Sequence, residues 1–331
     1  MAGKKCIDAS LIVMLVLIAC CGCAGRQGPQ AMSGDYKKMV ALQQQKASAP
    51  LAKEQPLPPG YEATAETHEQ LGDQYLRQGN AVAAFTEYER SLRKDPLRST
   101  ARYKIGMLFI SRGLPEEALK EFEQILAKDA QNAAAHYGRA TVRFLQGRPD
   151  LAKADLNEAL GTNDKLWQAH LLLGVICDTE QHHSEAEEAY LKALAIEPNS
   201  ATVYNDLGVC RYLMGRFDEA AQALLKAFNR DPENQRICNN LGLALYRLGN
   251  IEDALEAFKR GSGAAAAYNN IGYLQMKDKQ YENARAALEN AIEANPSYYA
   301  RAQKNMEKVR SALKDDESQP ASAEPAKPEG L

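Results

Sequence analysis

Residues 167–200 read WQAHLLLGVICDTEQHHSEAEEAYLKALAIEPNS, and related units recur along most of the 331-residue chain. Leu173 and Cys177 lie one helical turn apart, so they share one face of a first helix. A polar turn at residues 180–184 separates this helix from a second helix with similar apolar spacing. Pro198 ends the second helix because proline lacks the N–H that a helix interior needs. The unit is therefore a predicted helix–turn–helix.

Seven small residues mark successive units at a nearly constant interval. They are Gly72, Gly106, Ala140, Gly174, Gly208, Gly242 and Gly272, and all steps between them are equal except the last, which is shorter. We expect each to lie where two helices cross, because a larger Cβ would push the helices apart. A bulky residue of the second helix should fill the remaining gap: Tyr88, Phe122, Tyr190, Leu224, Phe258 and Leu288. Such a fixed period indicates one supersecondary unit, copied and stacked.

This pattern resembles the tetratricopeptide repeat family over about residues 65–298. The resemblance implies an all-α, right-handed superhelical solenoid of about seven helix–turn–helix repeats with a C-terminal capping helix. The repeats fall at residues 65–98, 99–132, 133–166, 167–200, 201–234, 235–264 and 265–298, and the capping helix at 299–314. The third repeat departs from the pattern, since Ala140 replaces glycine and Arg139 replaces an expected leucine.

The start of the chain predicts export and a lipid anchor. A basic segment precedes an apolar run that is too short to span a bilayer, which predicts a signal peptide at residues 1–19. Residues 17–20 read LIAC and resemble the bacterial lipobox. This resemblance implies cleavage before Cys20, diacylglycerol on its sulfur and an acyl chain such as palmitate on its amine, which together anchor a protein stably. Cys23 is an alternative acceptor, and ordinary secretion without lipid is an alternative outcome.

The segments that flank the repeats have the composition of flexible chain. Residues 20–64 are predicted to form a lipidated N-terminus and a tether, and residues 315–331 a disordered tail. Cys21 follows the predicted lipidated cysteine, where inner-membrane lipoproteins typically have aspartate. The expected location is therefore the outer membrane, facing the periplasm, with the inner membrane as the alternative.

Charge and cysteine content limit the classes of partner. The chain has a formal net charge of −3 and no basic stripe, so nucleic acid is not an expected partner. Cys177, Cys210 and Cys238 fall in the first helices of three successive repeats. Packed helices lie about 8–10 Å apart, whereas a disulfide needs Cα atoms within about 7 Å. We therefore predict three buried free thiols.

Catalytic, cofactor and metal motifs are absent from the sequence. It has no phosphate-cradling glycine loop, HExxH helix or nucleophile elbow, so we expect a non-enzymatic protein without a cofactor or metal. His182 and His183 fall in the turn between two helices without a third ligand, and we interpret them as solvent-exposed loop residues. His136 and His170 occupy equivalent positions of two first helices and are interpreted as packing residues.

Aromatic and asparagine side chains recur on the other face of the first helices. In the tetratricopeptide repeat family this face lines a concave groove, so the resemblance implies a peptide-binding surface. The candidate residues are Tyr103, Tyr137, Phe144, Asn205, Tyr212, Asn239, Asn240, Tyr246, Asn269, Asn270 and Tyr273. Rings supply apolar area, and asparagine amides can satisfy a peptide backbone. In the alternative interpretation, the asparagines follow the repeat consensus and the rings pack between neighbouring repeats.

The shorter last step reflects a sixth repeat that lacks about one helical turn near Gly261 and Gly263, either of which can take the left-handed conformation that ends a helix. This short repeat, followed by AAAAYNNIGYLQ, resembles the TadD lipoproteins of the tight-adherence (Flp type IVb pilus) machinery. The resemblance implies an adaptor that assembles or localises this machinery, with its secretin as an expected protein partner. One alternative is a general envelope adaptor that recruits peptidoglycan hydrolases or proteases. Another is the regulatory module of an enzyme.

Overall fold

The structure is a computed structural model that describes residues 63–295 and 299–318. The predicted signal peptide, Cys20, Cys23 and nearly all of the predicted tether and tail lie outside these residues. Within the described ranges the chain forms fifteen helices and no strands. The predicted all-α class is therefore confirmed. No helix of the described residues is long and apolar enough to cross a membrane.

The chain divides into two compact units, the first of which ends at Pro198. The first unit contains eight helices, which pack mainly in consecutive pairs joined by short turns. They are α1 (Ala65–Arg77), α2 (Ala81–Lys94), α3 (Ser99–Ser111), α4 (Pro115–Leu126), α5 (Ala133–Leu145), α6 (Pro149–Thr162), α7 (Trp167–Thr179) and α8 (His183–Ile196).

The second unit begins at Asn199 and contains the remaining seven described helices. They are α9 (Ala201–Leu213), α10 (Phe217–Phe228), α11 (Gln235–Arg247), α12 (Ile251–Ser262), α13 (Ala264–Lys277), α14 (Tyr281–Ala294) and α15 (Tyr299–Ser318). The last helix packs Ala302, Met306 and Val309 against Leu288 and Ala291 of α14. It therefore covers the apolar side of the last pair, as a terminal cap must.

Polar side chains cap the N-termini of five of the described helices. The side chain of Asn80 accepts a hydrogen bond from the Ala83 N–H at 3.0 Å, and Asn132 does the same for Ala135. Such side chains satisfy N–H groups that have no partner inside the helix. Pro149 opens α6, where its missing N–H costs nothing because that group would be unpaired anyway.

The predicted contacts between small and bulky residues are present in both units. A Cβ atom added to Gly72 would lie 2.4 Å from Cε1 of Tyr88, and one added to Gly174 would lie 2.5 Å from Cε1 of Tyr190. Separations below about 3 Å do not occur between real side chains, so a glycine is required for the helices to approach this closely. Four further pairs share the geometry: Gly106 with Phe122, Gly208 with Leu224, Gly242 with Phe258, and Gly272 with Leu288.

The shortened sixth repeat is accommodated by one residue between two helices. The second helix α12 ends at Ser262 and α13 begins at Ala264, so Gly263 alone joins them. Gly263 has φ 82° and ψ 165°, whereas Gly261 lies within α12. The sequence predicts a left-handed helical residue at Gly261 or Gly263. Gly263 has the positive φ of that conformation but not its ψ. The ψ value places Gly263 in a region that only glycine occupies readily, outside the left-handed helical region.

Candidate functional site

In the first unit, the predicted peptide-binding residues lie on α3 and α5. Tyr103 and Tyr137 are partly exposed, whereas Phe144 is buried, with 7% of its surface accessible. The ring of Tyr103 packs against that of Phe122 with centroids 5.7 Å apart. Burial raises the pKa of the Tyr103 phenol, so it stays protonated and can donate a hydrogen bond at neutral pH. Of the predicted peptide-binding residues in this unit, Tyr103 and Tyr137 are therefore the two that keep accessible surface. We call the side of the first helices that carries the predicted peptide-binding residues the first-helix face.

In the second unit, three of the predicted asparagines are occupied inside the protein. Asn205 and Asn240 are buried, and the Asn240 amide donates a hydrogen bond to Oδ1 of Asn205 at 2.9 Å. This bond joins the first helices of two consecutive repeats. Asn269 is also buried and accepts a hydrogen bond from the Asn305 amide of α15 at 3.0 Å. Buried amides need partners, and here the first helix of the next repeat or the C-terminal helix α15 supplies them.

Asn239 and Asn270 remain partly exposed on α11 and α13. The Asn239 carbonyl oxygen accepts a hydrogen bond from the Ser262 hydroxyl at 2.6 Å, so the end of the second helix of the short sixth repeat contacts the first helix of the same repeat here. A Cβ on Gly261 would lie 2.6 Å from the same oxygen. Glycine at this position therefore makes room for the Asn239 side chain, whose amide N–H₂ group is still available as a donor.

A hydrogen-bonded network holds the tyrosines of the second unit. The Tyr246 hydroxyl donates to Oδ2 of Asp278 at 2.8 Å, and Arg247 donates to Oδ1 of the same carboxylate at 3.0 Å. Arg247 also donates to the Tyr212 hydroxyl at 3.2 Å. Burial and the neighbouring Asp278 raise the pKa of Tyr246, so its phenol remains a donor. The network spans three repeats, and the sequence pattern does not predict the roles of Arg247 and Asp278.

The exposure of the predicted tyrosines in this unit differs. Tyr246 is buried, with 6% of its surface accessible, whereas Tyr212 and Tyr273 are partly exposed. Tyr212 packs on the Phe217 ring at 5.3 Å between centroids, and the Lys277 ammonium lies 5.7 Å from the Tyr273 ring centre. Of the predicted peptide-binding residues in this unit, Tyr212, Asn239, Asn270 and Tyr273 are the ones that keep accessible surface.

The histidine predictions have mixed outcomes. His182 is exposed, as expected, but His183 opens α8, and its Nδ1 lies 2.8 Å from Oδ1 of Asp178. The interpretation of His183 as a solvent-exposed loop residue is therefore wrong. The turn is shorter than residues 180–184 because Gln181, with φ 65°, reverses the chain within one residue. His136 is buried, with Nε2 2.9 Å from the Ala130 carbonyl oxygen, in agreement with a packing role.

The cysteine prediction is confirmed for the three repeats concerned. Cys177, Cys210 and Cys238 are all buried, and none of the three forms a disulfide. Burial raises the pKa of the Cys177 and Cys238 thiols, which lowers their thiolate fraction at neutral pH. These cysteines therefore act as small apolar residues of the interior.

Comparison with known protein families finds repeat models at both ends of the described region. Models of the tetratricopeptide repeat match residues 69–133 and 265–298. A model of the bacterial transcriptional activator domain matches residues 128–267. No curated protein matches the chain.

Several solved structures have the same fold. The chain is 18% identical to a protein in the APC/C hetero-tetramer Cut9–Hcn1, with a TM-score of 0.55 over 74% of this chain and 47% of that chain. It is 18% identical to PilW, described as a widely conserved type IV pilus biogenesis factor, with a TM-score of 0.52 over 69% and 100%. It is 20% identical to PilF of Pseudomonas aeruginosa, with a TM-score of 0.51 over 62% of this chain and 96% of that chain. At these identities the likeness concerns the fold alone.

Proposed function

We propose that this tetratricopeptide repeat protein is a non-enzymatic adaptor that holds a segment of another protein against the first helices of its repeats. The observation that carries the proposal is the recurrence of partly exposed tyrosines on one face of the first helices of the second, third, fifth and seventh repeats. Tyr103 and Tyr137 provide this surface in the first unit, and Tyr212 and Tyr273 provide it in the second. Tyrosine offers a large apolar ring with a polar end, which suits contact with a peptide.

The peptide backbone would be recognised mainly by Asn239 and Asn270. Both are partly exposed, and an amide side chain can donate and accept hydrogen bonds, as a backbone does. Asn205, Asn240 and Asn269 would instead fix the spacing between first helices, because their hydrogen bonds are made within the chain. The same residue type therefore has two roles, which differ in exposure.

This division of roles can be tested with a double substitution on α13. Asn270→Ala combined with Tyr273→Ala removes two accessible contacts and should weaken partner binding by about tenfold or more. The matched control is Glu289→Ala, an exposed position on the second helix of the same repeat. Binding is measured by co-purification of the secretin from detergent-solubilised membranes, and folding by the thermal melting of the helical signal. Unchanged secretin capture by a correctly folded double variant would rule out this face.

We also propose that Cys20 bears the lipid and that the adaptor acts at the outer membrane, facing the periplasm. The support is the sequence LIAC, its resemblance to the lipobox and the residue Cys21 that follows. Cys20→Ser should move the protein from the membrane fraction to the soluble periplasm, because a protein with one acyl chain or none binds a membrane only marginally. Retention in the membrane would exclude Cys20, and Cys23→Ser would then show whether the lipid is on the alternative cysteine.

The machine we propose is the tight-adherence pilus apparatus. The support is the short sixth repeat with its Gly263 link and the following AAAAYNNIGYLQ, which resemble the TadD lipoproteins. PilW and PilF share the fold at 18% and 20% identity, which adds no information on the partner. An adaptor that is anchored in the outer membrane and binds a segment of the secretin would raise the local concentration of the secretin at that membrane. Assembly of the secretin would then be favoured at the outer membrane.

Deletion of the protein should lower the amount of assembled secretin, and re-expression of the wild-type chain should restore it. A neighbouring prepilin, secretion ATPase and secretin in the genome would agree with this machine. If secretin assembly is unchanged and only peptidoglycan hydrolases or proteases co-purify, the protein is a general envelope adaptor instead.

A further inference from the structure

A cleft of about 230 Å³ opens on the first unit between α6, α7 and α8. Its floor is formed by Leu173, Cys177 and Ala189, which are apolar. The residues one repeat after Tyr137 and Thr141 are Leu171 and Val175, so the cleft lies on a different side of α7 from the first-helix face. Its volume is below the roughly 300–1,000 Å³ of sites that enclose drug-sized ligands. The size suits one side chain.

The same place in the third repeat is occupied by the chain itself. The residues one full repeat before Leu173, Cys177 and Ala189 are Arg139, Arg143 and Asp155. Arg139 donates to both carboxylate oxygens of Asp155, at 2.7 Å from Nη2 and 3.1 Å from Nε, and Nη1 of Arg143 lies 2.7 Å from Oδ2. Two guanidinium side chains and a carboxylate therefore fill the space that is left open one repeat later.

The rim of the cleft carries four charged side chains, of which two are acidic and two are basic. Glu185 and Glu188 lie on α8 and line the cleft. Within the described residues neither carboxylate has an ion-pair partner, and Lys192 is likewise unpaired. The fourth charged residue, Lys153, donates to Glu180 and is neutralised by it. Two unpaired carboxylates thus face one unpaired ammonium group.

We propose that this cleft receives an arginine side chain from a partner protein. The three methylene groups of arginine would lie on Leu173, Cys177 and Ala189, since long basic side chains bury their stems on apolar surface and keep the charge in water. The guanidinium would lie between Glu185 and Glu188, where it can donate several hydrogen bonds. The third repeat supports this choice because guanidinium side chains already fit the equivalent space. The site is separate from the first-helix face and gives the adaptor a second point of contact.

The test uses the full chain with labelled alanine and leucine methyl groups, titrated with N-acetyl-arginine amide. The Ala189 and Leu173 resonances should shift and saturate at millimolar concentration, which is about the affinity that so small a ligand reaches. N-acetyl-citrulline amide has the same shape without the charge and should bind at least about threefold more weakly. Glu185→Gln combined with Glu188→Gln should reduce the affinity for the arginine probe by about three- to fivefold.

Two variants that fill the cleft provide the controls. Ala189→Met occupies the floor with a single apolar side chain, and Cys177→Arg with Ala189→Asp copies the Arg143–Asp155 pair of the third repeat. Both should abolish the shift of the Leu173 methyl groups while the melting temperature stays close to that of the wild type, and the first variant alone suffices if the second fails to fold. Equal binding of citrulline, preference for N-acetyl-glutamate amide, or no saturable shift in the wild type would overturn the proposal.

Discussion

Nδ1 of His68 lies 2.7 Å from Oε2 of Glu87, and both residues are buried. The same relationship recurs one repeat later, where Nη1 of Arg102 lies 2.9 Å from Oε2 of the buried Glu121. In each case a cationic or titratable side chain of the first helix meets an acid at the same sequence separation on the second helix. A carboxylate taken out of water needs such a partner, because its desolvation is otherwise costly.

The third repeat extends this series and adds charge to it. Asp155 has 2% of its surface accessible and is contacted by Arg139 and Arg143, with Nδ1 of His136 3.7 Å from Oδ1. In the fourth repeat the acid is replaced by Ala189. Each of the first three repeats thus contains a buried acid that contacts a side chain of its own first helix, whereas the fourth repeat has an apolar residue at the same place.

Asp155→Ala should lower the free energy of unfolding by about 3 kcal/mol, because it leaves two arginines without their shared carboxylate. Both arginines are partly exposed, which places the loss at the lower end of the range for broken buried pairs. The measurement is urea unfolding followed by the helical signal. Glu158→Ala, on the exposed side of the same helix, is the control and should change stability by less than about 0.5 kcal/mol. Equal effects of the two substitutions would show that the buried cluster contributes nothing specific.

The sequence predicts the contacts between small and bulky residues because both members recur at the same period, as Gly174 and Tyr190 illustrate. The acids Glu87, Glu121 and Asp155 recur at this same period, so the sequence contains this feature too, but the apolar pattern alone does not reveal it. Each acid pairs with the first-helix side chain that comes within hydrogen-bond distance of it across the helix pair. The packing of the two helices sets this distance, and the sequence does not give it.

The asparagines show a different limit of sequence reasoning. Helical spacing places Asn239 and Asn240 correctly on α11, yet one is partly exposed and the other is buried against Asn205. Adjacent residues differ by about 100° around a helix axis, so a small rotation of the helix decides which one faces the next repeat. Nothing in the sequence measures that rotation. The exposure of candidate ligand residues therefore follows only from the structure.

Gly174→Ala should destabilise the protein by about 1–3 kcal/mol, because the new methyl group would lie 2.5 Å from the Tyr190 ring and the helices must move apart. Gly161→Ala is a matched control on α6, since a Cβ there meets nothing within 4 Å. This second substitution should be neutral or stabilising by about 0.4–1 kcal/mol, because alanine restricts the unfolded chain. Thermal unfolding of both variants tests the comparison, and a cost for Gly161→Ala as large as for Gly174→Ala would contradict it.

Glu69 should make stability depend on pH in the acidic range. Burial alone would raise the pKa of its carboxyl, but hydrogen bonds from Lys104, Arg98 and Thr100 outweigh burial and bring the pKa below 4.5. A carboxyl with a lowered folded-state pKa stabilises the protein above its unfolded pKa of 4.5, and this stabilisation is lost as the pH falls through the folded value.

Glu69→Gln tests this pH dependence. The variant should be less stable than the wild type at neutral pH, and the difference should narrow as the pH falls below about 4.5. Urea unfolding of both proteins at several pH values between about 7 and 3.5 measures the difference. A constant difference over this range would show that the ionised carboxyl is not the stabilising species. Glu158→Gln, at an exposed position, should give parallel curves.

Gly263→Ala should destabilise the second unit through the backbone alone. A Cβ at this position meets nothing within 4 Å, so no side-chain clash contributes, but φ 82° with ψ 165° costs a non-glycine residue about 1–3 kcal/mol. Gly263→Asn should cost a similar amount, because asparagine relieves strain in the left-handed helical region and not in this one.

Gly215→Asn is the control, since Gln181 and Lys279 occupy the corresponding turn position of other repeats with positive φ. It should cost less than either substitution at Gly263 when the three variants are compared by thermal unfolding. If asparagine is tolerated equally at both positions, the single-residue link of the short repeat can relax, and its geometry is not what sets the join between α12 and α13.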